Sequence, residues 1–115
     1  MKSSKINLNK DFRRLYGRGK SFVHPLLVTY VMFNKRREIR YGITAGKKVG
    51  CAVMRNRARR VIDASLRECL KAVDCCGADI VFVARSRTPF VKSYEVQSAM
   101  LQHFKMCGLI PEEKE

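Results

Sequence analysis

Lys47-Lys48 and, one short step on, Arg55-Asn56-Arg57-Ala58-Arg59-Arg60 are the residues of this chain whose types and spacing suit a chemistry. That chemistry is the binding of phosphates. Arginine presents a planar fork of donors that matches phosphate oxygens, and its charge does not titrate away. Asn56 adds a donor and an acceptor that can hold a neighbouring loop or touch a sugar. Between Lys35 and Arg60 ten Lys or Arg stand against one acid, Glu38, so this stretch carries a field that a polyanion would neutralise.

A helix must hold these groups. At about 100° per residue, Arg59 falls about 40° from Arg55, Asn56 about 100° and Arg60 about 140°. The apolar positions Ala58, Ile62 and Cys69 centre on about 320°. The first two turns therefore set a basic flank beside a core stripe. A solvated helix face would instead carry acids four residues from its bases. None falls between Glu38 and Asp63. Cations at a helix start also oppose the macrodipole. A sequence that accepts both penalties gains something at a partner. Lys47 and Lys48, flanked by Gly46 and Gly50, precede a helix start whose free N–H groups can add to an anion site. No Gly-x-x-x-x-Gly-Lys-Ser/Thr pattern is present, so nucleotide binding is not supported.

The elements around this flank follow from periodicity. Asn7 or Asn9 caps a first helix of about 9–17, in which Phe12, Leu15 and Tyr16 share a face. Residues 21–23 form a short strand, ended by His24-Pro25, and His24 is read as a turn residue without chemistry. Residues 26–33 and 39–44 are two good strands, expected to pair antiparallel across the turn 34–38. Gly42 inside the second marks a close approach or a bulge. The basic helix spans about 51–73 and ends at Cys76-Gly77. Residues 79–84 are nearly all apolar, as in a central strand. Ser93 caps a last helix of about 94–106, with Val96, Met100, Leu101 and Phe104 on its apolar face. The order α-β-β-β-α-β-α around one mixed sheet gives an α+β class. The 115 residues form one domain, 1–115, with 1–7 and 108–115 expected to fray.

Charge and cysteine narrow the partner. The net charge of +14 opposes compaction, and a polyanion relieves it. Nucleic acid is the first candidate, an anionic membrane surface the second, and a basic surface without a partner the bland alternative. No apolar run approaches the ~18–20 residues of a spanning helix, and the first ten residues lack the apolar core of a signal peptide. A cytoplasmic protein is expected. The five cysteines are odd in number and lack a Cys-x-x-Cys pair, and Cys75 and Cys76 are adjacent, so reduced thiols are expected and a structural metal is not. No paired carboxylates or nucleophile pattern appears on the basic strip, and no catalytic residue is assigned. Phosphodiester hydrolysis would then need metal ions held elsewhere.

The run Thr44-Ala45-Gly46-Lys47-Lys48-Val49-Gly50-Cys51-Ala52-Val53-Met54-Arg55-Asn56-Arg57-Ala58-Arg59-Arg60 resembles the signature of the bacterial ribonuclease P protein family. Asp11-Phe12-Arg13-Arg14-Leu15-Tyr16 with Gly19-Lys20, and Asp79 to Arg85, resemble that family's first helix and later strand. The resemblance spans about residues 8–106. It departs where the family places serine at Ala45 or Gly46, and at Asp63-Ala64, where the family continues with a polar pair and an acid here shortens the basic stripe. The resemblance implies a fold like the second domain of ribosomal protein S5, with a left-handed β-α-β crossover. It implies the protein component of a ribonucleoprotein endonuclease that removes the 5′ leader of precursor tRNA, with the RNA subunit as the catalyst. Mg²⁺ is then held mainly by that RNA and not tightly by the protein. Partners are ribonuclease P RNA and precursor tRNA, with one protein per RNA and no membrane.

Residue by residue, the resemblance assigns Lys47, Lys48, Arg55, Asn56, Arg57, Arg59 and Arg60 to the catalytic RNA. It assigns a leader cleft to Phe12, Tyr16 and Tyr30, with Arg13 and Lys20 tracking the backbone. Stacked aromatics tolerate any base, which suits variable leaders. The same rings also fit plain core packing, most of all Phe12, and alternation along the strand does not say which face of Tyr30 is open. A ribosomal protein or RNA chaperone fits charge and size equally well, and a DNA-binding regulator is third, without helix-turn-helix spacing or zinc ligands.

Overall fold

The structure is a computed structural model that describes residues 3–6, 9–73 and 77–110. Its elements are β1 (Ser3–Lys5), α1 (Asn9–Arg18), β2 (Lys20–His24), β3 (Leu27–Asn34), β4 (Ile39–Thr44), α2 (Ala52–Leu70), β5 (Gly77–Ala84) and α3 (Ser93–Cys107). One-turn 3₁₀ segments at Lys47–Val49 and Thr88–Phe90 precede α2 and α3. The five strands form one mixed sheet in the order β1-β4-β5-β3-β2. The α+β class and single sheet agree with the sequence reading.

Two expectations about strands do not hold. Ser3–Lys5, read as frayed, adds to the outer edge of β4 in parallel, with Ser3 opposite Ile39 and Lys5 opposite Tyr41. More consequentially, β3 and β4 are not partners. β5 lies between them, antiparallel to β3 and parallel to β4. The turn after β3 crosses over the start of β5, which is possible because position 77 has no side chain. A Cβ on Gly77 would lie 2.8 Å from the backbone N and O of Glu38. Ala78 N donates to Glu38 O at 3.2 Å and stitches the crossing. β5 takes the central place because its residues are apolar on both faces, as its unbroken apolar run implies.

Helix ends also moved. α2 stops at Leu70, although Val73 stays buried, and the expected end at Cys76 lies outside the described residues, as do Cys75 and Asn7. Ser93 is the first residue of α3 and not its cap. The Glu95 carboxylate reaches back to accept from Lys92 N at 2.9 Å, which makes Lys92 the cap. Past α3, Gly108 takes φ +92°, and Leu109 and Ile110 fold back into the core. Leu109 N donates to Phe104 O at 2.9 Å, so the segment read as frayed from 108 is anchored through 110. Residues 111–115 lie outside the described residues.

The two faces of the sheet are covered unequally. α2 and α3 pack together over one face, where Leu27, Val31, Ile39, Ile80 and Phe82 meet Ile62, Leu66, Met100 and Phe104. α1 lies alone on the other, where Ile6, Leu15 and Val81 form a small second cluster edged by Phe12, Tyr30, Met32 and Val83.

Candidate nucleic-acid interface

The basic flank begins where β4 ends. Val49 is buried and pins the 3₁₀ turn, leaving Lys47 and Lys48 exposed. Gly50 turns the chain into α2 at φ +132°, a conformation that a side chain would strain. Arg55 is half-buried and its Nε donates to Gly50 O at 3.0 Å, so this arginine also clamps the turn to the helix. Arg59 Nη1 donates to Asn56 Oδ1 at 3.2 Å, which orients the fork along the helix surface. Arg57, Arg59 and Arg60 are exposed, while Ala58 and Ile62 face the core. Cys51, the α2 cap position, has its thiol pKa lowered by the N–H groups of Met54 and Val53.

Asp63 follows on the same flank. It pairs with Arg67 at 3.0 Å, one turn on. Its charge also acts on Tyr41 of β4, whose pKa is raised first by burial and then by that charge. The acid that shortens the basic stripe is therefore a strut between α2 and β4.

The aromatic face is assembled by α1 and the strands beneath it. Alternation puts Tyr30 of β3, Gly42 and Thr44 of β4, and Val81 and Val83 of β5 on the α1 side. The Phe12 ring lies directly on Gly42, where an added Cβ would come within 2.5 Å of it. Gly42 thus marks a close approach and not a bulge. Tyr16 stands edge-on to Tyr30, with centroids 4.9 Å apart and planes at 86°. Its hydroxyl lies 3.5 Å from Thr44 Oγ1, and the residue stays 43% exposed. Val28, two residues from Tyr30 on β3, shares its face by strand alternation, whereas half-buried Val83, its partner on β5, was not assigned to that face from the sequence. The place of Val83 beside Tyr30 depends on β5 entering between β3 and β4, which no local pattern signals.

A cleft of about 320 Å³ joins the two regions. Phe12 and Gly42 from the α1 side and Arg59, Arg60 and Asp63 from α2 all line it. Phe12 is thus both packed and cleft-lining. Arg13 sits on the exposed side of α1 and makes no bond to described residues. Lys20 is not brought to the cleft. It pairs with Val31, whose side chain faces α3, and lines a separate hollow with Arg18, Phe33 and Cys107. A one-residue step along a strand reverses the face, and β2 begins on the wrong phase for Lys20 to join Tyr30.

Several titratable groups elsewhere are committed to structure. Asp11 and Asp79, both buried, accept from Arg14 and Arg40 at 3.0–3.4 Å. His103 is 3% exposed, bonded to Thr29 Oγ1 at 2.7 Å, and burial holds its pKa down to about 4, so it is neutral at pH 7. His24 Nδ1 accepts from Leu26 N at 3.1 Å in the turn after β2. Burial pushes the Cys69 thiol up to about 12. Among the described residues no three His, Cys, Asp or Glu gather as a metal-binding group, and no helix is long and apolar enough to cross a membrane.

The sequence pattern of the Ribonuclease P family matches residues 1–108. A ribonuclease P protein component of Clostridium botulinum (strain 657 / Type Ba4) is 39% identical over 109 residues, covering 95% of this chain and 98% of the relative. One of Clostridioides difficile (strain 630) is 44% identical over 80 residues, 70% of each chain. Among solved structures, the RNase P protein of Staphylococcus aureus superposes with a TM-score of 0.78 at 28% identity, covering 92% of this chain and 96% of that one. The RNase P protein of Thermotoga maritima does so at 0.76 and 27% identity, covering 90% and 96%.

Proposed function

The chain belongs to the ribonuclease P protein family, the protein component of an endoribonuclease of tRNA processing that works with ribonuclease P RNA, and from that premise we propose how its surface divides the labour. The basic flank of Lys47, Lys48, Arg55, Asn56, Arg57, Arg59 and Arg60 binds the catalytic RNA. The aromatic face of Phe12, Tyr16 and Tyr30 receives the unpaired 5′ leader of precursor tRNA. The observation that carries this reading is the cleft itself, a single hollow lined by both Phe12 and Arg59-Arg60. A strand lying there has rings for its bases and guanidinium forks for its phosphates.

Two RNAs repel wherever they approach. Cations fixed between them lower that cost, and stacking adds affinity without demanding sequence. Chemistry at the scissile phosphate belongs to the RNA subunit in this reading. The buried carboxylates Asp11 and Asp79 are taken up by arginines, and in this reading the Mg²⁺ ions of the reaction are held mainly by the RNA. One protein acts per RNA, in the cytoplasm.

The test adds the protein to transcribed ribonuclease P RNA at low Mg²⁺ and follows 5′ maturation of precursor tRNA. Protein should rescue cleavage that RNA alone performs poorly, and protein alone should not cleave. Robust cleavage by RNA-free protein would overturn the division of labour. In the same assay Arg59→Ala/Arg60→Ala should weaken assembly with the RNA and lower the salt slope by about one per lost phosphate contact.

A further inference from the structure

A second basic hollow lies at the opposite end of the sheet from the start of α2. It has a volume of about 430 Å³ and is lined by Lys10, Asp11, Arg14, Arg36 and Arg40. Arg40 lies near the start of β4, whereas α2 begins beyond the end of that strand. None of these five residues belongs to the basic flank or the aromatic trio.

Its floor is rigid. Arg40 Nη2 donates to Asp11 Oδ2 at 3.0 Å and Arg14 Nη2 to Asp79 Oδ2 at 3.2 Å, while Asn34 Nδ2 holds the other Asp79 oxygen at 2.8 Å. A purely structural lock needs no more than these groups. Two further cations stand at the rim. Lys10 and Arg36 are exposed and make no ion pair with any described residue. Arg36 is nonetheless fixed at its backbone, because its N–H donates to Asn34 Oδ1 at 3.0 Å within the turn that crosses β5. Arg14 spends only Nη2 on the carboxylates and is 42% exposed at its side chain, so the rest of its fork faces outward. The two acids thus hold the arginines in place without cancelling the hollow's charge.

We propose that this hollow is a second RNA-phosphate site, built to take the backbone of an unpaired RNA strand that also crosses the aromatic face. Asp11 and Phe12 are consecutive on α1, so the hollow adjoins the ring that roofs Gly42. A strand stacked along α1 runs onto Lys10, Arg14 and Arg36. That strand is either the distal part of a precursor's 5′ leader or an unpaired segment of the catalytic RNA. The proposal rests on the functional reading above only in taking RNA as the partner.

The experiment uses the full chain assembled with transcribed ribonuclease P RNA, comparing Lys10→Ala/Arg36→Ala with the unaltered protein. One arm measures affinity for precursor tRNAs with leaders of increasing length, the other affinity for the catalytic RNA alone, each across a salt series. The double variant should melt as the unaltered protein does. It should bind its strand roughly three- to tenfold more weakly, the scale of two exposed ion pairs, with a salt slope lower by about 0.7 per lost phosphate contact. Loss that appears only with long leaders identifies the leader, and loss in the other arm identifies the catalytic RNA. Unchanged affinity and salt slope in both arms overturn the proposal. Should the double variant melt lower, Arg36→Gln alone carries the same comparison. Arg59→Ala/Arg60→Ala is measured beside it. Loss there with none at the hollow leaves the proposed function standing, whereas loss at neither removes that function as well.

Discussion

The α2–α3 side of the sheet is closed and the α1 side is not. Beneath α2 and α3, strand residues such as Leu27, Ile39, Ile80 and Phe82 have no exposed surface at all. Beneath α1, a ten-residue helix covers a five-stranded sheet, and among the described residues its buried apolar cluster is Ile6, Leu15 and Val81. Rings at the edge of that small cluster keep part of their area in solvent. One face therefore supplies most of the folding free energy, and the other is free to keep aromatics and arginines half-solvated for a ligand. The open face secures its helix by ion pairs: Arg14 and Arg40 tie α1 to β4 and β5 through Asp11 and Asp79.

Cutting the closed face should have the largest effect. Phe82→Ala removes a fully buried ring beside Phe104 and should cost about 3–5 kcal/mol of stability, read by denaturant unfolding. A loss below 1 kcal/mol would mean that this face is not the sealed core described.

The closed face also carries a pH signature. His103 binds its proton at about 4 when folded, against about 6.5 in the unfolded chain. Protonation thus favours the unfolded state. The stability tied to the neutral ring is fully present above about pH 6.5 and is lost as pH falls toward about 4. It amounts to on the order of 3 kcal/mol. Melting curves across that window should fall more steeply for the unaltered protein than for His103→Gln, and parallel curves would refute the assignment.

On the open face, Asp79→Asn should cost about 2–3 kcal/mol, because it weakens the carboxylate that Arg14 and Arg40 share. Hydrogen exchange should show α1 loosening before α2, and uniform loosening would contradict the view that these ion pairs hold α1 in particular.

Tyr16→Ala and Tyr30→Ala sharpen the contrast further, because their main effect should fall on binding. Each should weaken the assembled enzyme's hold on leader-bearing substrate by ~1–3 kcal/mol, roughly 5- to 150-fold, and leave mature tRNA unaffected. Tyr16, nearly half exposed, should lose little stability. Variants that fold normally and keep the full preference for leader would make the open face packing and no more.

The smallest change is expected at the boundary of the two faces. Asp63→Asn removes an exposed helix pair with Arg67 and should cost no more than about 0.5 kcal/mol. It should still lower the titration point of Tyr41, since the Asp63 charge helps to raise it. Ultraviolet titration of the tyrosines reads this, and an unmoved Tyr41 would place Asp63 elsewhere. Asp63→Arg, which lengthens the basic stripe, should be neutral or slightly favourable to assembly with RNA.

The sequence by itself determined what depends on near neighbours. Helix periodicity set Ala58, Ile62, Leu66 and Cys69 against the core and left Arg59 and Arg60 outside, because a helix fixes the angle between residues a few positions apart. Unbroken apolar character marked 79–84 as a central strand, and the spacing of Lys47 to Arg60 marked a basic flank. Partnership between distant segments was decided only by the tertiary structure. That β5 would part β3 from β4 rests on the missing side chain of Gly77 under a turn forty residues away in sequence. That Lys20 would face α3 and Tyr30 face α1 rests on the phase in which β2 meets β3. Asp11 with Arg14, Arg40, and Asp79 lie far apart along the chain, with no spacing that pairs the three stretches. They become one buried network because α1 settles across β4 and β5, and a contact of that kind leaves no periodic trace in the sequence.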